Sequence, residues 1–235
     1  MASSAYATVL SVLEQAERDE ATKSGPLSQY FGRGTRDAYT GSQFETIGGY
    51  WNQPENLYCI TAGDLVALAT LSVSVSGRAA TEILSEPFQR QASELLCQIS
   101  PTLSIIDADA TYQLSNPDSA ASRLWRLFRP ATSSDGDNVD QFGQVRTSKL
   151  LARKRPALLP VYDSVVGGVL GLRGSVGHWE LMHELMTDDA NALWKRAEEL
   201  RDQVGLADTV TPLRVVDIVL WMHGKSVGLE EPDEM

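Results

Sequence analysis

Cysteine is nearly absent: Cys59 and Cys97 are the two in the chain, far apart and outside any CxxC pair. That leaves no disulfide framework and no cysteine-built zinc site, and it fits a reducing compartment. Long apolar runs are missing as well. The longest, residues 165–172, is interrupted by Gly167, Gly168 and Gly171, whereas a membrane span takes about twenty apolar residues. The first twenty residues lack a basic start, a continuous apolar centre and a small-residue cleavage site, and they end in Glu14, Glu17, Asp19 and Glu20. A secretory leader is therefore not expected. The expected location is cytoplasmic, with no membrane partner.

What is present is ordinary globular material. The chain has 235 residues, 43% hydrophobic and 22% charged, enough to bury a sizeable core. Positive charge is scarce overall, with a net charge of -11, which disfavours phosphate backbones as partners. One segment departs from that average. Residues 123–155 hold eight basic side chains against Asp135, Asp137 and Asp140, a local +5 that leaves -16 elsewhere. An acidic body with one basic segment can dock a polyanion there, although a basic segment is also commonly just a solvated face.

Periodicity along the chain predicts helices. Tyr6, Val9, Leu10, Leu13 and Ala16 make an amphipathic first helix that stops near Lys23, ahead of Gly25-Pro26. Residues 25–53 are rich in glycine, aromatic and polar residues without a sustained period, predicting an irregular segment. Thr61 with Asp64 three residues later reads as a capping box for a helix containing Leu65, Leu68 and Leu71. Further helices are predicted over 78–85, 87–98, 119–128, 147–153, 164–170, 178–186 and 189–204. The last is capped by Thr211 with Pro212 at its first position. The Val-Ser alternation of 71–75 could be a strand but more simply ends a helix. The expected architecture is a single all-α domain over 1–228, followed by a frayed acidic tail, 229–235.

The segment 141–166 carries the most chemical information. It runs from a glycine turn at Phe142-Gly143 through a helix to a basic exit at Arg153, Lys154 and Arg155, then to a proline-bounded connection and a second helix capped by Asp163. A turn that ends in a helix N-terminus presents free amides and the positive end of the dipole, an anion site. Thr147, Ser148 and Lys149 lie on its first turns.

This order of features resembles the helix-hairpin-helix DNA glycosylase superfamily. Phe142 and Gly143 fall on the hairpin's apolar and second glycine positions, and Thr147 on its Ala/Thr position. Leu150 and Leu151 fall on the helix core, and Asp163, in Val161-Tyr-Asp-Ser-Val-Val166, falls on the catalytic aspartate. The resemblance implies a helix-hairpin-helix glycosylase-like fold and duplex DNA bound through residues 146–155. The phosphate contacts would be Gly143, Thr147, Ser148, Lys149, Arg153, Lys154 and Arg155. It also implies hydrolysis of an N-glycosidic bond, with Asp163 stabilising the sugar cation and activating water. Tyr162 and a tryptophan, Trp125 or Trp179, would stack on the extruded base. Val145 stands where lyase-type members carry a nucleophilic lysine, so Schiff-base chemistry is not expected. Gln141 replaces the hairpin's first glycine and no cysteine cluster follows. No cofactor is expected.

A second resemblance covers more of the chain. The blocks beginning at Thr61, Ser148 and Leu213 are similar to those of an uncharacterised bacterial family of unknown function, which brings no activity with it; that family is read here as a divergent branch of the helix-hairpin-helix architecture.

Alternatives stay open. Asp163 reads equally as a plain N-cap, and tryptophans are usually core. The chain could instead be a non-catalytic protein whose acidic surface binds a basic protein partner, or a hydrolase of free nucleosides and small N-glycosides. Glu180 and His183 share a helix face without the second pair that a carboxylate-bridged metal site takes, and His178 and His183 are five apart, off zinc spacing. Gly32-Arg-Gly34 lacks the third glycine of a dinucleotide fingerprint. Residues 174–177 miss the nucleophile-elbow spacing. No metal site is expected.

Overall fold

A computed structural model describes residues 2–33, 37–129 and 142–229. Among these the chain is all-helical, with no strand. Residues 71–75 follow the end of a helix and form no strand.

Eleven α-helices are described: α1 (Ala2–Glu20), α2 (Pro26–Tyr30), α3 (Ala62–Thr70), α4 (Gly77–Ile83), α5 (Glu86–Leu96), α6 (Ala110–Ser115), α7 (Ala120–Phe128), α8 (Gln144–Lys154), α9 (Ser164–Val169), α10 (His178–Val204) and α11 (Pro212–Ser226). Their starts follow local chemistry. The Thr61 hydroxyl accepts from the Asp64 amide while the Asp64 carboxylate accepts from the Thr61 amide, the reciprocal box that opens α3. Ser76, Ser119, Asp163 and Thr211 cap α4, α7, α9 and α11 through their side-chain oxygens. The stretch 25–53 is irregular as expected, with only α2 and a 3-10 turn at Thr40–Gln43.

Two helices organise the core. In α11, Pro212 to Leu220 are all buried, and the helix packs on α1, α2, α9 and α10. Gly224 lets α9 approach: a Cβ there would stand 2.4 Å from Val165 Cγ1. In α8, Thr147 to Lys154 are all buried between α3 and α7, charged residues included. The helix α10 is broken at 188–191, where Asp189, Ala190 and Asn191 all take left-handed backbone angles. Its two parts correspond to the helices predicted over 178–186 and 189–204, except that 189–191 belong to the break. Leu229 is not part of a frayed tail, because its amide bonds to the Gly224 carbonyl at 2.9 Å and closes the end of α11; the rest of the expected tail lies outside the described residues. No helix among the described residues is long and apolar enough to cross a membrane.

Candidate functional site

The basic exit of α8 points inward. Lys149, Arg153, Lys154 and Arg155 are 3%, 2%, 1% and 1% exposed, and each is consumed by internal acceptors. Arg153 donates to Asp64 Oδ1 at 2.9 Å and to the carbonyls of Phe44, Ile47 and Gly49. Lys154 Nζ reaches Asp64 Oδ2 at 3.0 Å and the Asn56 carbonyl at 2.6 Å. Arg155 is held by the carbonyls of Leu57, Leu96 and Ile99, the last two at the C-terminal end of α5, where a cation is favoured. Burial pulls the Arg155 guanidinium down to about 10. This corrects the expectation that Lys149, Arg153, Lys154 and Arg155 meet DNA phosphates. The irregular segment exposes carbonyls that no helix or sheet satisfies, and the cations of α8 supply the missing donors.

Thr147 and Ser148, also expected to contact phosphate, are occupied as well. The Thr147 hydroxyl donates to the Phe142 carbonyl, and the Ser148 hydroxyl donates to the Pro160 carbonyl while accepting from the Tyr162 amide at 2.6 Å. Both residues are buried, and Ser148 braces the 155–163 connection from inside. Gly143 is half-buried at the N-cap of α8, and Arg146 donates to the Ser74 carbonyl. Gln141 falls outside the described residues.

Asp163 is where its cap requires, and it does more than cap. One oxygen accepts from the Val165 amide at 2.8 Å, and the other lies 3.1 Å from Lys149 Nζ. Lys149 is fixed in turn by the Leu71 carbonyl at 3.0 Å. The pair lines a cleft of about 70 Å³, together with Arg214, Asp217, Tyr39 and Trp221. Tyr39 stacks on Tyr30 and meets Trp221 edge-on at 5.6 Å, which gives the cleft an aromatic wall. Ser72, on its rim, holds a φ of +60°, which costs an L-residue free energy and recurs where function fixes the backbone.

Arg214 must serve two carboxylates. Its Nε donates to Glu45 at 2.8 Å, one terminal nitrogen donates to Asp217 and the other to the Tyr30 hydroxyl at 2.9 Å. All four groups are buried. Burial pushes the Asp217 carboxyl up to about 6 against the pull of Arg214, with the Asp163 charge adding to the rise. Burial likewise raises Glu45, whose Oε2 has no hydrogen-bond partner, and lifts the Tyr30 phenol to about 12. Arg214 stays cationic, because Tyr30, Glu45 and Asp217 outweigh its own desolvation. The cleft therefore holds Asp217, whose carboxyl burial raises to about 6 although Arg214 pairs with it, beside Asp163 paired with Lys149.

The other expected residues gather elsewhere. Tyr162, Trp125 and Trp179 line a wider cleft of about 320 Å³, on which Asp163 does not border. The two tryptophans meet edge-to-face at 5.4 Å. The structure thus divides what the resemblance implied as one site: neighbouring Tyr162 and Asp163 serve different clefts. Arg214, Asp217, Tyr39 and Trp221 were missed in the sequence. The signal for the first two was a charged pair three apart inside an otherwise apolar helical run.

His178 lines the wider cleft, 1% exposed, with neither ring nitrogen partnered among the described residues. Burial pulls its pKa down to about 3. The folded chain keeps it neutral while the unfolded chain takes a proton near 6.5, so its stabilising contribution is complete above that pH and is lost as pH falls from 6.5 towards 3. The expected slope is up to about 1.4 kcal/mol per pH unit. Thermal melts between pH 4 and 7 should show that slope diminished in His178→Gln. His183 is structural, bonded to the Ile105 carbonyl and the Thr111 hydroxyl. Among the described residues no group of three His, Cys, Asp or Glu side chains is placed to hold a metal.

The profile of a family of unknown function (DUF6308) matches residues 24–224. No curated protein and no solved structure matches the chain.

Proposed function

The chain belongs to this family of unknown function, and from the geometry of the narrow cleft we propose that it hydrolyses a small N-glycosidic substrate of the nucleoside class. One observation carries the reading: Asp163, paired with Lys149, and Asp217, paired with Arg214 and raised to about 6 by burial, line the same aromatic-walled cleft. A carboxyl whose pKa burial raises is suited to the acid role beside a second carboxylate. Asp217, as the carboxylic acid, donates its proton to the departing base as the C1′–N bond breaks and its electron pair moves to the base. Asp163 stabilises the sugar cation and accepts a proton from the water that adds to C1′. Tyr39 and Trp221 supply stacking faces for the base.

Duplex DNA fits this cleft less well, because the cations expected to hold a backbone are internal. The test is base release from a panel of ribo- and deoxyribonucleosides, followed by chromatography, beside anisotropy with a duplex bearing an abasic-site analogue. The expected result is free base from at least one nucleoside and no preference for the analogue over undamaged duplex. A salt-sensitive preference for the analogue without nucleoside turnover would return the protein to the DNA-processing reading.

A further inference from the structure

The wider cleft has its own chemistry. Its walls are Trp125 and Trp179, its rim carries Arg126 and Arg129, and its floor includes His178. Both arginines are exposed. The guanidinium of Arg129 already lies over the Trp125 ring, 5.7 Å from its centroid, and Arg126 is steadied by the Pro117 carbonyl at 2.7 Å. The same cleft borders the start of α10, where Gly177 takes a left-handed φ of +77° and offers no side-chain cap. First-turn amides sit at the positive end of the dipole; that of His178 is taken by the Ser175 carbonyl at 3.1 Å.

His178 supplies the independent observation. A buried imidazole with two unpartnered nitrogens costs free energy unless something uses them. Kept neutral by burial, it has one donor and one acceptor that point apart from the ring, so a polar group of a bound ring meets one of them. Its ring is held edge-to-face against Tyr162 at 5.3 Å. Tyr162 is fixed by its amide bond to Ser148.

We infer that this cleft binds a planar heteroaromatic anion of the nucleoside monophosphate class, with the ring between the tryptophans and His178 and the phosphate between Arg126, Arg129 and the start of α10. Stacking on tryptophan is tolerant of the base, and arginine matches phosphate by geometry as well as charge. Glu180, also on the rim, is placed to accept from sugar hydroxyls. The site is separate from the Asp163 cleft.

Isothermal titration calorimetry with AMP and UMP tests it. The expected result is saturable binding with a Kd of roughly 10–500 µM. Arg129→Gln, a surface change that leaves the fold intact, should weaken it about tenfold, and Trp179→Leu by a similar factor. Adenosine, lacking the phosphate, should bind correspondingly more weakly. Asp163→Asn should leave the Kd unchanged, which keeps this result distinct from any failure of the narrow cleft to turn over nucleosides. No heat from either nucleotide at about 5 mM, a Kd indifferent to Arg129→Gln, or inorganic phosphate binding as tightly as AMP would each overturn it.

Discussion

Asp64→Ala is expected to destabilise the protein by about 3–5 kcal/mol, the range for breaking a buried ion pair from one side. The substitution removes the acceptor shared by Arg153 and Lys154 and half of the box that opens α3. Two buried cations would then face carbonyls alone. For a chain of this size the loss corresponds to a fall in melting temperature of roughly 6–20 °C. Glu86→Ala is the control. Its partner Arg90 lies on the same helix face, with the two side chains 83% and 65% exposed, and such pairs contribute less than about 1 kcal/mol. Urea unfolding of the two variants should separate them clearly; equal losses would mean that the buried charges do not organise the fold.

Asp163→Asn is expected to lower kcat for base release by about 10²–10⁴-fold, the usual range for a positioned acid–base group. Asparagine is isosteric and caps helices as well as aspartate, so the bond from the Val165 amide and the start of α9 are retained. What it removes is the charge facing buried Lys149, so stability falls with it. A thermal melt separates the two effects: a variant still folded at the assay temperature yet turning over at the wild-type rate would exclude Asp163 from the chemistry.

The helical scaffold was legible because its signals are local. Thr61 with Asp64, Asp163 before an apolar run, and Thr211-Pro212 each declare a helix start within a few residues, and each caps as expected. The short α6 was missed, since six residues of mixed character hold no period. The direction of the α8 charges was not legible. Lysine and arginine are rarely buried, and the carbonyls that make it possible here belong to Phe44, Ile47, Gly49, Asn56 and Leu57, distant in sequence. Gly48 illustrates the difficulty. Its φ of +72° and the closeness of Gly63 bring the Ile47 and Gly49 carbonyls within reach of Arg153, a relation between two remote glycines that no linear pattern displays. Trp125 and Trp179, alternatives in the sequence, lie against each other beside His178 rather than Asp163.

The most direct test of the narrow cleft is the pH dependence of kcat/KM for base release, in the wild type and in Asp217→Asn. Burial raises the Asp217 carboxyl to about 6, and as the general acid it must be protonated to act. The rate should therefore fall as pH rises through 6, and that limb should disappear in Asp217→Asn along with most of the activity. A limb that persists unchanged in the variant, or no base released from any nucleoside at any pH, would contradict the account.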